Sequence, residues 1–240
     1  MKTALVTGAN RGIGLETAKQ LAELGYSVFL GCRYTTLGKQ AVDQLHALGL
    51  PHTEVIQLDV TDSNSIKSAR KQMESKVGQL DVLVNNAAIM GELPQPAATV
   101  CVTDMRKVFD TNFFGVIEVT QEFIPLLKKS DAGRIVNVSS DLSSLTLNDD
   151  PTWKYYPFKS TAYGISKTAL NAFTIMLAYE LKDTLIKVNA VNPGYAATDL
   201  NNYKGDKKPG EAAKVIVKYA TLTDDGETGK FFSEKGKMPW

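Results

Sequence analysis

Cysteine and histidine are scarce: Cys32, Cys101, His46 and His52 are the only ones in 240 residues. Two thiols cannot build a disulfide framework, and such usage fits a reducing compartment. His46 and His52 sit in or beside one helical segment, with no Cys/His cluster at ligand spacing, so no metal ligand is assigned. No apolar run reaches the roughly 18 residues that span a bilayer. Met1 and Lys2 lead straight into the β-type run Thr3-Ala4-Leu5-Val6-Thr7, without a separate charged and apolar leader. A cytoplasmic protein with no membrane partner is expected. Charge of one sign is lacking too: 27 Lys and Arg against 26 Asp and Glu leave +1, with no basic run, and hence no electrostatic footprint for nucleic acid. Neither a Pro/Ser linker nor an internal repeat divides the chain, so one domain over residues 1–240 is the expected organisation.

What is present is an ordinary globular composition, 43% apolar and 22% charged, with length enough for a substantial core. Short β-branched or apolar runs occupy residues 4–7, 27–32, 54–59, 82–85, 134–138, 187–192 and 230–232. Helical spacing fills residues 13–24, 37–48, 63–77, 103–127 and 161–181. Alternation of this kind, with strands apolar on both faces, predicts a parallel sheet covered by helices on both sides. Right-handed crossovers make it a single doubly wound α/β sheet. Residues 141–159, with Pro151, Pro157, Trp153, Tyr155, Tyr156 and Phe158, and the polar residues 201–209 break the rhythm. Both follow strands at their carboxyl ends, where ligands bind in open α/β sheets.

Between the first strand and first helix stands Thr7-Gly8-Ala9-Asn10-Arg11-Gly12-Ile13-Gly14. Gly8 permits a tight exit from the strand. Gly12 lets backbone approach a pyrophosphate, Gly14 lets helix and sheet sit close, and the helix N-terminus offers unpaired N–H groups. The spacing is Gly-x-x-x-Gly-x-Gly rather than the commoner Gly-x-Gly-x-x-Gly. The second strand ends Leu30-Gly31-Cys32-Arg33, with no acid from Ser27 to Gly38 to grip both ribose hydroxyls of NAD. Arg33 and Arg11 on the same rim instead suit the 2′-phosphate of NADP. Cys32 reads as a small residue at the acid's position, not as a reactive thiol.

Tyr163 and Lys167 are four residues apart in a helical segment and so share one face. A phenol titrates near ~10, too high for efficient proton exchange at neutral pH, and a fixed cation beside it lowers that value.

With these pieces the chain resembles the short-chain dehydrogenase/reductase family over essentially its whole length. The shared motifs are residues 7–14, Asp59-Val60, Asn85-Asn86-Ala87-Ala88, Asn112, Ser139-Ser140, the Tyr163/Lys167 pair, and Pro193-Gly194 followed by Thr198. Within the family it looks most like the NADPH-dependent carbonyl reductases, through Arg33, the lengthened stretch before Tyr163, and the endings Thr228-Gly229-Lys230-Phe231-Phe232 and Met238-Pro239-Trp240. The resemblance implies a Rossmann-type fold and reduction of a ketone, aldehyde or quinone by NADPH. It makes Tyr163 the proton donor, Lys167 the group that lowers its pKa and bonds the nicotinamide ribose, Ser140 the donor to the substrate carbonyl, and Asn112 the support of a proton-relay water. It places Gly8, Asn10, Arg11, Gly12, Ile13, Gly14 and Arg33 on the phosphates, Asp59 and Val60 along the adenine, Asn86 on the adenosine ribose, and Pro193, Gly194, Ala196 and Thr198 at the nicotinamide. Ser140, Trp153, Tyr163 and Tyr195 would face the substrate.

Departures are Ala88 for the usual glycine, Ala196 for a β-branched residue, and the long interval from Ser140 to Tyr163. Family members commonly dimerise through the segments 103–127 and 161–181, whereas some carbonyl reductases cover that face with an insertion; a monomer is favoured over a homodimer here. A ketoacyl or sugar-alcohol dehydrogenase, and a non-catalytic dinucleotide sensor, remain alternatives on the same residues. Charge-assisted hydrogen bonds contribute roughly 1.5–3 kcal/mol each, or about 10–150-fold in affinity. Arg33→Ala should weaken NADPH binding by about that factor and leave NADH nearly unaffected, as read by fluorescence titration; a parallel loss of both would remove Arg33 from 2′-phosphate recognition.

Overall fold

β1 (Thr3–Thr7), β4 (Val82–Asn85) and β5 (Arg134–Val138) are buried at every residue, and β2 (Ser27–Cys32) at all but its first. Strands of this kind are satisfied only in a sheet covered on both faces. The computed structural model, which describes residues 1–240, contains that sheet. With β3 (Thr53–Gln57), β6 (Lys187–Val191), β7 (Phe231–Ser233) and β8 (Gly236–Lys237), the order is β3-β2-β1-β4-β5-β6-β7-β8. All neighbours are parallel except β7 and β8, an antiparallel edge hairpin too short for the sequence pattern to reveal. The strand order reverses between β1 and β4, which opens a crevice at their carboxyl ends.

Alternation along the strands sorts the core into two layers. Val6, Val84 and Val136 face α1 (Gly12–Glu23), α2 (Thr35–Ala47) and α8 (Pro209–Ala220). Leu5, Leu83 and Ile135 face α3 (Ser63–Lys76), α5 (Gly115–Leu127) and α7 (Thr161–Glu180). Two shorter helices, α4 (Val102–Phe109) and α6 (Leu145–Asp149), complete the set. No helix is long and apolar enough to cross a membrane.

Besides the edge hairpin and the short α6, the structure departs from the expected elements at two places. The predicted helix over residues 103–127 is divided by a wide turn, Asp110–Phe114, closed by Gly115 N–H donating to the Asp110 carbonyl. The cause is tertiary: a Cβ on Gly115 would lie 2.5 Å from the Val60 carbonyl oxygen, so the chain passes that loop at backbone distance. α8 lies outside the segments with predicted helical spacing. Its apolar residues are nearly contiguous, Ala212-Ala213 and then Val215-Ile216-Val217, a dense pattern that does not separate helix from strand; Pro209 in its first turn starts it as a helix.

Phe123 on α5 is fully buried between α3, α7 and the sheet. Phe123→Ala should cost about 3–5 kcal/mol, measured as a lower urea midpoint with unchanged slope.

Candidate active site

The crevice begins at the end of β1. Gly8 N–H donates to the Gly31 carbonyl at 2.8 Å, and Gly8 has φ +64°, with Ala87 Cα 2.9 Å from where a Cβ would sit. At Gly14 a Cβ would come within 2.5 Å of both Asn86 Nδ2 and the Gly8 carbonyl oxygen. Asn86 stitches β4 to β1: its amide donates to the Thr7 and Gly8 carbonyls at 2.9 and 3.2 Å, and its N–H to Thr7 Oγ1 at 2.9 Å. Gly12, at φ +58°, stands against the Thr198 methyl, which brings the β6 loop to the glycine loop. α1 starts without a side-chain cap and without an acid in its first turn. Its free N–H groups, with backbone on three sides, fit a pyrophosphate.

The remaining residues of that rim lie as follows. Asn10 and Ile13 are half-buried on the loop. Arg11 is mostly exposed and pairs with Asp199 at 3.4 Å. Arg33 is exposed at the end of β2, its guanidinium 4.8 Å from the Tyr34 ring centre. Asp59 Oδ1 accepts from the Thr61 N–H and hydroxyl at 3.0 and 2.8 Å, which shapes the turn at buried Val60. Burial pushes the Cys32 thiol up to about 12, outside the range of a reactive thiolate.

Tyr163 and Lys167 stand one turn apart near the start of α7, and both are buried. Lys167 Nζ donates to the Val138 carbonyl, the last residue of β5, at 2.7 Å and lies 5.9 Å from the Tyr163 ring centre. Ser140 follows β5 and lies close enough to the Tyr163 phenol to lower its pKa. Burial, reinforced by the Asp141 charge and opposed by Ser140, raises the Tyr163 phenol to about 12. Burial alone lowers the Lys167 amine to about 7. The expected depression of the Tyr163 pKa by Lys167 is therefore not met in this geometry. The amine is turned to a backbone carbonyl, and the apolar setting that removes its charge also holds the phenol protonated.

Asn112, in the wide turn, is fully buried and its side chain is committed. It accepts from Ile89 N–H and donates to the Ile89 carbonyl, both at 2.9 Å, and donates to Ser166 Oγ at 3.1 Å. Ser166 in turn donates to the Tyr163 carbonyl at 2.7 Å. The side chain braces α7. Gln95, which the sequence did not single out, acts from 67 residues away: its Oε1 accepts the Ala162 and Tyr163 N–H groups at 3.0 and 3.2 Å. No local pattern betrays a cap supplied by so distant a segment.

On the far side, Trp153 and Tyr155 meet edge to face at 5.5 Å, and Tyr155 meets Tyr195 at 6.1 Å. This bridge joins the segment after β5 to the one after β6. Tyr156 lies apart under Lys159, and Phe158 is exposed. Gly194, at φ +82°, lies against the Lys207 stem, while buried Ala196 forms a bridge with Lys207. Pro193 precedes this turn, and Thr198 caps the next, Asp199–Asn201.

A family model described as short chain dehydrogenase matches residues 2–209. The chain belongs to that family. It is 34% identical over 275 residues to the human NADPH carbonyl reductase 1, covering 99% of this chain and 98% of that protein. It is 31% identical over 301 residues to (+)-neomenthol dehydrogenase of Capsicum annuum, covering 97% and 95%. The crystal structure of NADPH-bound carbonyl reductase from chicken fatty liver superposes with a TM-score of 0.86 at 29% identity, covering 100% of this chain and 99% of that one. As in other members of the short-chain dehydrogenase family with these folds, the sheet is single and flanked by helices.

The lysine has a measurable signature. Its amine sits at about 7 in the folded chain, against about 10.4 when unfolded. It thus contributes stability that is complete above the unfolded value and is lost as pH falls through the folded one. Tyr163, raised to about 12, acts in the opposite sense only above about 10. Between about pH 7 and 10 the unfolding free energy of the ligand-free protein should climb more steeply than that of Lys167→Met in urea denaturation. Parallel curves would mean that the amine stays charged.

Proposed function

We propose that this chain reduces an apolar ketone, aldehyde or quinone with NADPH. The observation that carries the reading is the buried, protonated Tyr163 phenol with Ser140 beside it at the carboxyl end of β5. NADPH supplies the hydride when bound. Gly8, Asn10, Arg11, Gly12, Ile13 and Gly14 would hold its pyrophosphate and Arg33 its 2′-phosphate. Asp59, Val60 and Asn86 would line the adenosine, and Lys167, Pro193, Gly194, Ala196 and Thr198 the nicotinamide end. Relatives named as NADPH carbonyl reductases support that choice of cofactor.

Negative charge that develops on the substrate oxygen meets the Ser140 hydroxyl as a preplaced donor and is neutralised by the Tyr163 proton. A phenol held at about 12 carries its proton throughout the neutral range. That state serves reduction directly, whereas oxidation of an alcohol needs the phenolate as base. Asn112 acts through Ser166 to fix the register of α7. Trp153, Tyr155 and Tyr195 pack as one aromatic cluster on the segments after β5 and β6, which would favour an apolar or aromatic substrate.

NADPH consumption should be seen with simple ketones, aldehydes and quinones. Tyr163→Phe should lower turnover by about 10²–10⁴-fold while NADPH binding, read by fluorescence, stays nearly intact. Wild-type turnover in that variant would remove Tyr163 from the proton step.

A further inference from the structure

The single proton of Ser140 has more than one place to go. Its Oγ–H donates to Asp141 Oδ1 at 3.3 Å, while Oγ accepts the Leu142 N–H at 3.2 Å. Ser140 also lies close enough to the Tyr163 phenol to lower its pKa. A serine hydroxyl has one donor and two acceptor sites. A proton held by Asp141 is therefore withheld from a substrate oxygen. Asp141 opens the short turn Asp141–Ser143 directly after β5, and it is half-buried beside the proposed proton donor.

We propose that Asp141 is a positioning residue that sets the direction of the Ser140 hydroxyl. As a carboxylate it keeps the Ser140 proton; as a neutral acid, protonated from solvent, it donates to Ser140 Oγ and frees that proton for the substrate. The proposal deepens the reductase reading and rests on it for its consequence in turnover.

The surroundings favour the neutral form. Burial raises the Asp141 pKa, opposed by the Ser140 and Leu142 hydrogen bonds and by Lys154. The charged and titratable groups facing this corner are Tyr163 on α7, Lys154 and Tyr155 from the segment after β5, and Asp206 from the segment after β6. Lys154 is mostly exposed and divided among partners: it lies over the Tyr155 ring at 4.4 Å and pairs with Asp206 at 3.9 Å. Tyr163 is itself pushed up by Asp141, so phenolate and carboxylate disfavour each other. The sign follows: a carboxyl raised above its ordinary value is neutral below that pKa, and reduction declines as pH rises through it.

Two measurements test this. In kcat–pH profiles of carbonyl reduction, wild type should decline on the alkaline side of the raised carboxyl pKa. Asp141→Asn, whose amide donates to Ser140 at every pH, should lose that decline and recover turnover relative to Asp141→Ala. The second measurement needs no turnover: carbon-13 NMR of aspartate carboxyls in the ligand-free protein, with Asp141 assigned by its absence in Asp141→Asn. Asp141 should titrate above the ordinary value of about 3.9, and higher still in Ser140→Ala, which removes a donor that favours the carboxylate. An Asp141→Asn profile that parallels wild type, or an Asp141 titration unmoved by Ser140→Ala, overturns the proposal. If wild type turns over no carbonyl compound, the reductase reading falls, and the NMR titration still decides whether Asp141 and Ser140 are coupled.

Discussion

A lysine amine that is 1% exposed needs an acceptor, and in this fold the acceptor is the Val138 carbonyl at 2.7 Å. Much of the site's geometry follows from that hydrogen bond. Val138 ends β5, a central strand, so the bond ties α7 to the carboxyl edge of the sheet. Lys167 lies one helical turn from Tyr163, and fixing the amine fixes the rotation of α7 that presents the phenol to Ser140. Further bonds repeat the tie down the same face. Thr168 donates to the Ser143 carbonyl at 2.8 Å, Ser139 donates to Asn171 at 2.7 Å, and Asn137 donates to Thr174 at 2.9 Å. The chain continues into β4 and α5, where Asn85 donates to Asn137 and Thr120. A polar seam inside an apolar core is costly when incomplete and strongly orienting when its bonds are made. Apolar packing alone would let α7 slide by part of a turn; this ladder permits one register.

Water exclusion also governs the electrostatics. Burial is the first cause of both the high phenol and the low amine. An anion entering the crevice favours the ammonium form of Lys167. A charged ammonium then draws the phenol down.

Local chemistry made much of this legible. The runs 27–32, 82–85 and 134–138 coincide with β2, β4 and β5 because β-branched residues there are bounded by Gly, Asp and Ser breakers. The glycine loop was readable because positive φ at Gly8 and Gly12, and backbone contact at Gly14, tolerate no side chain. What escaped depends on partners distant in the chain. The wide turn before Gly115 exists because of Val60, the start of α7 is capped by Gln95, and Arg11 meets Asp199 across the crevice. The spacing of Tyr163 and Lys167 was visible, but the carbonyl that captures the amine belongs to a strand almost thirty residues earlier. Asp141 went unnoticed for a simpler reason: an acid after a serine pair has no meaning until the turn folds it back beside the phenol.

The long segment between β5 and α7 is fastened on two sides. The Trp240 carbonyl accepts from Thr146 N–H, Thr146 Oγ1 and Ser144 Oγ at 3.1, 3.0 and 3.2 Å, and the Trp240 ring stacks on Phe231 of β7 at 5.7 Å. At the other side Tyr155 packs on Tyr195, and the chain beyond Tyr195 is itself bound back, with Ala197 N–H donating to the Lys207 carbonyl and Asp206 N–H to that of Tyr195. Walls held in this way require little ordering when a ligand enters, which reduces a main cost of association. Selectivity at such a mouth would rest on the shape and polarity of the packed rings more than on closure of a lid.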